Sequence, residues 1–196
     1  MDTIGFSQKS ESGVFTIGYS TRSLEEFIEL LKIYDITLLS DIRAVPQSRY
    51  NPQFNKEALP DNLKRTGIKY LHLPGVGGLR HPKPNSTNRA LEGQLRGYAD
   101  YMQTKEFTEQ LLKIVVLSQE NRLALMCAEA LPYKCHRILL SDVLTARHIQ
   151  VLHIINKENT VTHKINELAQ VNGGRVSYPL YTKETPQRTL SDFRTT

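Results

Sequence analysis

Short apolar runs alternate with amphipathic helical spacings along most of this chain. Val14 to Gly18 (VFTIG) is β-branched, apolar and closed by glycine, which predicts a buried strand. Ser23 then opens a capping box with Glu26, and Phe27, Leu30, Leu31 and Tyr34 follow at helical spacing. Ile36 to Ile42 predicts a second strand, Ile68 to Leu73 a third, Leu123 to Cys127 a fourth and Val151 to Ile155 a fifth. Helices are expected over Asn55 to Thr66, Ala90 to Met102, Thr104 to Ser118 and Cys135 to Ala146. Pro46 and Pro52 keep the stretch after the second strand irregular.

Strands separated by helices do not pair as hairpins. They pair in parallel through crossovers, and a parallel sheet needs cover on both faces. The pattern therefore predicts an α/β fold: a three-layer sandwich with a mainly parallel central sheet of about five strands and helices on both faces. Residues 1–156 read as a single α/β domain. Residues 157–196, poorer in large apolar side chains, read as a C-terminal extension with a short helix near His163 to Ala169 and an extended tail. A chain of 196 residues, 39% hydrophobic and 23% charged, is long and apolar enough for one core. No apolar run approaches the roughly 20 residues that span a bilayer, and the first twelve residues lack the apolar stretch of a secretory signal. Two cysteines exclude a disulfide scaffold, so a reducing, cytoplasmic location away from membranes is expected.

The unusual polar residues and glycines follow the predicted strands. Gly18 to Arg22 follows the first, and Asp41, Arg43, Ser48 and Arg49 follow the second. Gly77, Gly78 and Arg80 follow the third, and Cys127, Glu129, Cys135, His136 and Arg137 follow the fourth. Carboxyl ends of parallel strands share one edge, where ligands bind, so these clusters are expected to converge. Arg43, Arg49, Arg80 and Arg137 could hold an anion as a clamp, although Asp41 and Arg43 can equally pair with each other. Gly77 and Gly78 would admit a ligand close to the backbone. Tyr98 and Tyr101 lie three apart on a helix with Arg96, and either pack in the core or face a base or sugar.

Cys135 falls at or near a predicted helix start, where the helix dipole and nearby cations favour thiolate. Cys127 and Cys135 are therefore candidate nucleophiles, with Glu129 and His136 as acid–base partners. No cofactor is expected. No metal is expected either: Cys135 and His136 are adjacent, which disfavours their facing one ion together, and no paired C-x-x-C or H-x-x-x-H is present.

Five segments, TIGYSTRSLEEF, DIRAVPQSRYNPQFN, YLHLPGVGGLR, LRGYADYM and LMCAEALPYKCHR, occur in order between about Thr16 and Ile154. Together they resemble the bacterial and archaeal family called domain of unknown function 488. The resemblance implies a three-layer α/β protein, a loose association with DNA repair, and no settled activity. It places pocket candidates on Asp41, Arg43, Ser48, Pro52, Phe54, Gly78, Arg80 and Tyr98, and on Cys127, Glu129, Cys135, His136 and Arg137. One departure is Tyr19, where the family usually has histidine in a Gly-His-Ser pattern, which removes an imidazole. A fainter resemblance joins LLSDIR and the LMC loop to rhodanese-like sulfurtransferases and cysteine phosphatases, but the spacing from Cys127 to Arg137 exceeds their tight anion-cradling loop.

The leading expectation is an enzyme acting on a phosphate-bearing substrate, a nucleotide or nucleic acid. The alternative is a non-catalytic nucleic-acid-binding or DNA-repair accessory module, which draws on the net charge of +5. Gln187, Leu190 and Phe193 fit a Q-x-x-L-x-x-F spacing, which resembles a sliding-clamp peptide and marks a candidate partner contact.

Overall fold

The computed structural model describes residues 13–180. Strands β1 (Val14–Gly18), β2 (Leu38–Asp41), β3 (Lys69–His72), β4 (Leu123–Cys127), β5 (Val151–Ile154) and β6 (Thr160–Thr162) form one sheet in the order β3-β2-β4-β1-β5-β6. The first five are parallel, and β6 runs antiparallel to β5. The helices are α1 (Leu24–Ile33), α2 (Leu59–Lys64), α3 (Gly93–Tyr101), α4 (Lys105–Glu120) and α5 (Arg137–Ala146). A separate hairpin joins β7 (Gln170–Asn172) to β8 (Arg175–Ser177).

Strand alternation sorts the apolar residues into two cores. Phe15, Ile17, Leu39, Ala124 and Met126 face Phe27, Leu30 and Leu31 of α1 and Leu59 and Leu63 of α2. Val14, Leu38, Leu123, Leu125 and Val151 face the opposite way, onto Tyr98 of α3, Phe107 and Leu111 of α4, and Leu139 and Leu140 of α5. The protein is a three-layer α/β sandwich. Its α1 cap forms as the sequence indicates: Ser23 Oγ accepts from the Glu26 amide (3.1 Å), and a Glu26 carboxylate oxygen accepts from the Ser23 amide (2.9 Å).

The structure differs from the sequence reading at several places, among them the β7–β8 hairpin in the stretch read as an extended tail. The sheet has six strands because the three-residue β6 adds an edge too short to show as a pattern. The helix expected from Asn55 shrinks to Leu59–Lys64, because the Asn55 side chain accepts from the Ser48 amide (2.7 Å) instead of capping. Helix α5 starts at Arg137, two residues after Cys135. The segment from His163 to Ala169 is not helical. There Asn166 Oδ1 accepts from the Leu168 amide (3.0 Å), and the Asn166 amide donates to Asp142 (2.9 Å), so side-chain partners replace the helical ladder.

Residues of the expected C-terminal extension are packed on this body. Beyond β6, His163, Val176 and Tyr178 are buried, and Tyr178 OH donates to Asp142 Oδ2 (2.6 Å). No helix among the described residues is long and apolar enough to cross a membrane.

Candidate active site at the carboxyl end of the sheet

Helix α1 carries the chain from β1 to β2 over one face, and α5 carries it from β4 to β5 over the other. Because β1 and β4 are neighbours, the two connections leave their shared edge in opposite directions, which opens a crevice beyond their carboxyl ends. A cleft of about 460 Å³ lies there. Its wall includes Tyr19 from the loop after β1, Arg43 and Gln47 after β2, Gly78 after β3, and Cys127, Glu129, Lys134, Cys135 and His136 after β4. Gln94 and Leu95 of α3 close another side.

Cys127 shares its strand face with Leu123 and Leu125, so alternation points it toward α3 and α5. Cys135 has an extended backbone (φ −139°, ψ 152°), whereas His136 is helical (φ −55°, ψ −16°). That change of conformation swings two consecutive side chains together, against the expectation from their adjacency. Cys135 Sγ and His136 Nδ1 are 3.5 Å apart. One donor atom each from Cys127, Cys135 and His136 lies within 4.8 Å of the others, and all three residues are buried.

The two thiols are free and electrostatically unequal. The neighbouring Cys127 thiol holds the Cys135 sulfur well below the usual thiol range, with His136 and the Arg137 charge adding to it against burial. The same closeness of the two sulfurs, with burial, pushes Cys127 the other way, above that range.

Two glycines allow these loops to approach. A Cβ on Gly18 would overlap the Glu129 carbonyl, and one on Gly78 would overlap the His136 ring. Gly77 packs in the same manner against the Ala44 backbone and does not line the cleft.

The other sequence candidates serve as scaffold around this cleft. Asp41, fully buried, accepts from Arg43 Nε (2.9 Å) and Nη2 (2.6 Å) and from Tyr70 OH (2.9 Å). Arg43 also donates to the Phe54 carbonyl (2.6 Å). Phe54 is fully buried between the Tyr19 ring, stacked at 4.3 Å, and the Phe27 ring. Ser48 shapes its loop by accepting from the Asn51 amide (3.0 Å). Tyr98 lies behind the site, donating to the Val76 carbonyl (3.1 Å) with its ring 5.0 Å from that of His136.

Of the four arginines read as an anion clamp, only Arg43 borders the cleft. Arg49 is exposed outside it. Arg80 stacks on Tyr101 at 3.7 Å and donates to the carbonyls of Gly75 and Gly77 (both 3.2 Å). Arg137 is buried and donates to the carbonyls of Glu129 and Ala130. The loop after β4 thus turns carbonyl oxygens inward onto an arginine, and the likeness to anion-cradling loops of rhodaneses and phosphatases gains no support.

Tyr19, Gln47, Gln94 and Lys134 are cleft residues that the sequence reading did not select. Tyr19 stands in the sequence within the Gly18 to Arg22 cluster and as a departure from the family pattern, and the other three carry no local signal. The clamp-like residues Gln187, Leu190 and Phe193 lie outside the described residues.

No curated protein and no solved structure matches the chain. A family model does match, over residues 23–144, a span that includes the cleft loops after β2, β3 and β4. The chain belongs to the family described as domain of unknown function DUF488.

Proposed function

We propose that the protein is an enzyme acting on a small phosphate-bearing molecule of nucleotide size through the sulfur of Cys135. The observation that carries this reading is the gathering of two free thiols and an imidazole, their donor atoms within 4.8 Å of one another, on the wall of a cleft of about 460 Å³. Such a volume suits a small-molecule ligand. Lys134 brings positive charge to the wall, and Tyr19, Gln47 and Gln94 bring hydrogen-bonding groups. In the reaction, the Cys135 sulfur bonds to the electrophilic centre as the bond to the leaving oxygen breaks. That oxygen keeps the electron pair and takes a proton from His136 or Glu129, and water then cleaves the intermediate and returns the thiolate.

The rival reading, a nucleic-acid-binding or DNA-repair accessory module with a sliding-clamp contact, draws on the net charge of +5. The guanidinium groups of Arg43, Arg80 and Arg137 are already engaged by Asp41 and backbone carbonyls, so what favours the enzyme is the cleft with its two thiols.

The test is alkylation of the reduced, chelator-treated full chain between about pH 4 and 9, with the labelled cysteine identified by mass. A panel of nucleotides is assayed alongside. The expected result is fast labelling of Cys135 that persists into acid, and turnover that disappears in Cys135→Ser. Slow labelling of both thiols, or turnover retained in Cys135→Ser, would overturn the reading.

A further inference from the structure

We infer that Cys127 Sγ, Cys135 Sγ and His136 Nδ1 bind one zinc-class cation whose fourth coordination position opens to the cleft. The inference deepens the proposed function by naming a regulator of the same site. It rests on that reading only for its consequence, the masking of the Cys135 sulfur.

The geometry comes first. Tetrahedral zinc with Zn–S about 2.3 Å and Zn–N about 2.0–2.1 Å sets sulfur and nitrogen about 3.5–3.6 Å apart, and two sulfurs about 3.8 Å apart. Cys135 Sγ and His136 Nδ1 already stand at 3.5 Å. The full trio lies within 4.8 Å, so a small side-chain movement closes the set. All three residues border the cleft, so a water or a ligand can complete the tetrahedron from that side.

The donors select the metal. Two sulfurs and an imidazole suit zinc, whereas magnesium and calcium take hard oxygen ligands. Coordination releases any thiol proton to solvent, and two thiolates then balance the divalent charge.

The supports are rigid. Cys127 ends a central strand flanked by β1 and β2. Arg137 ties the intervening loop through the carbonyls of Glu129 and Ala130, and Gly78 leaves room for the imidazole. Donors fixed by packing before the ion arrives lose little on binding it.

The site is also reversible in character. Ligating histidines usually donate their other ring N–H to an acceptor, and such outer partners are worth about 10–100-fold in affinity. His136 Nε2 is buried and has no partner among the described residues. The ion is therefore held less tightly than in a fully supported structural site. Metal binding and nucleophilic attack use the same sulfur of Cys135, so a bound ion masks that sulfur and its release exposes it.

The experiment uses the reduced, metal-free full chain titrated with cobalt(II), followed by thiolate-to-cobalt charge-transfer absorption and tetrahedral ligand-field bands. The expected result is one equivalent bound and displaced by zinc. Cys127→Ser, Cys135→Ser and His136→Gln each weaken binding by at least about 100-fold, more than loss of an outer partner costs. The exposed-residue variant His81→Ala binds as the parent does. Because the buried variants can misfold, zinc is also added to the unmodified protein, where it slows alkylation of both thiols by at least about tenfold. Absence of the charge-transfer band, or zinc without effect on alkylation, would overturn the metal inference while leaving fast labelling of metal-free Cys135 to support the enzyme. Conversely, stoichiometric cobalt with slow labelling in the metal-free protein supports the metal site and removes the thiol nucleophile.

Discussion

Asp41 and Arg43, two residues apart at the end of β2, form a buried two-pronged ion pair, with Nε to Oδ1 at 2.9 Å and Nη2 to Oδ2 at 2.6 Å. Breaking such a pair leaves one charge buried without its partner. Asp41→Ala is expected to destabilise the fold by about 3–5 kcal/mol, read as a lower denaturant midpoint at unchanged slope. Arg43→Lys, which cannot fill both prongs, is expected to lose a large part of the same stability. A stability change below about 0.5 kcal/mol for Asp41→Ala would mean the pair is only incidental.

Gly18 and Gly78 separate stability from reactivity. Gly18→Ala drives a methyl group into the Glu129 backbone, which cannot yield like a flexible side chain, and is expected to cost about 1–3 kcal/mol. Gly78→Ala meets the His136 ring, a side chain at the reactive centre. It is expected to cost less in the denaturant melt yet change the alkylation rate of Cys135. Equal effects of both variants on both measurements would show that the loops are not held as described.

Cys127 and Cys135 lie close enough to shift each other's titration in opposite directions. Cys127→Ala removes that neighbouring thiol, so the Cys135 pKa is expected to rise and its alkylation to fall at acid pH. A pH–rate profile of the single remaining thiol checks this. An unchanged profile would assign the activation to His136 and Arg137 alone.

A buried polar chain gives the fold an acid-sensitive joint. Thr16 Oγ1 lies 2.7 Å from His153 Nδ1, His153 Nε2 lies 3.0 Å from His163 Nδ1, and His163 Nε2 lies 2.8 Å from Asp142 Oδ1. Burial first, then the neighbouring His163 and Arg137, lowers the His153 pKa to about 4. The unfolded chain takes up this proton near pH 6.5, and the folded chain only near its own lower value. Folding stability is therefore full above pH 6.5 and falls as pH drops from there toward 4, by about 3 kcal/mol in all. Denaturant melts across that range, compared with those of His153→Gln, measure it. Tyr178→Phe, which deletes the donor to Asp142, is expected to cost about 1.5–3 kcal/mol at neutral pH.

Local pattern determined the layers and the edge. Alternation within VFTIG, LLSD and LALMC fixes which side chains face each core, and the Ser23–Glu26 cap fixes where α1 begins. Parallel strands place Gly18, Asp41 and Cys127 at one rim, so the neighbourhood of the cleft was legible without coordinates.

The tertiary structure decided which of the rim residues meet. Arg80 and Arg137 turned to carbonyls of their own loops, and Asp41 took Arg43 and Tyr70. The change from extended to helical backbone at Cys135 and His136 brought together two side chains that adjacency seemed to separate. A hydrogen-bond partner far along the chain has no local signature, because it depends on strand order and on how a loop satisfies its buried polar groups. Hydrophobic periodicity records only which side of each element is buried. The sequence thus encodes the faces, whereas the pairing of charges and donors between loops exists only once the chain has closed.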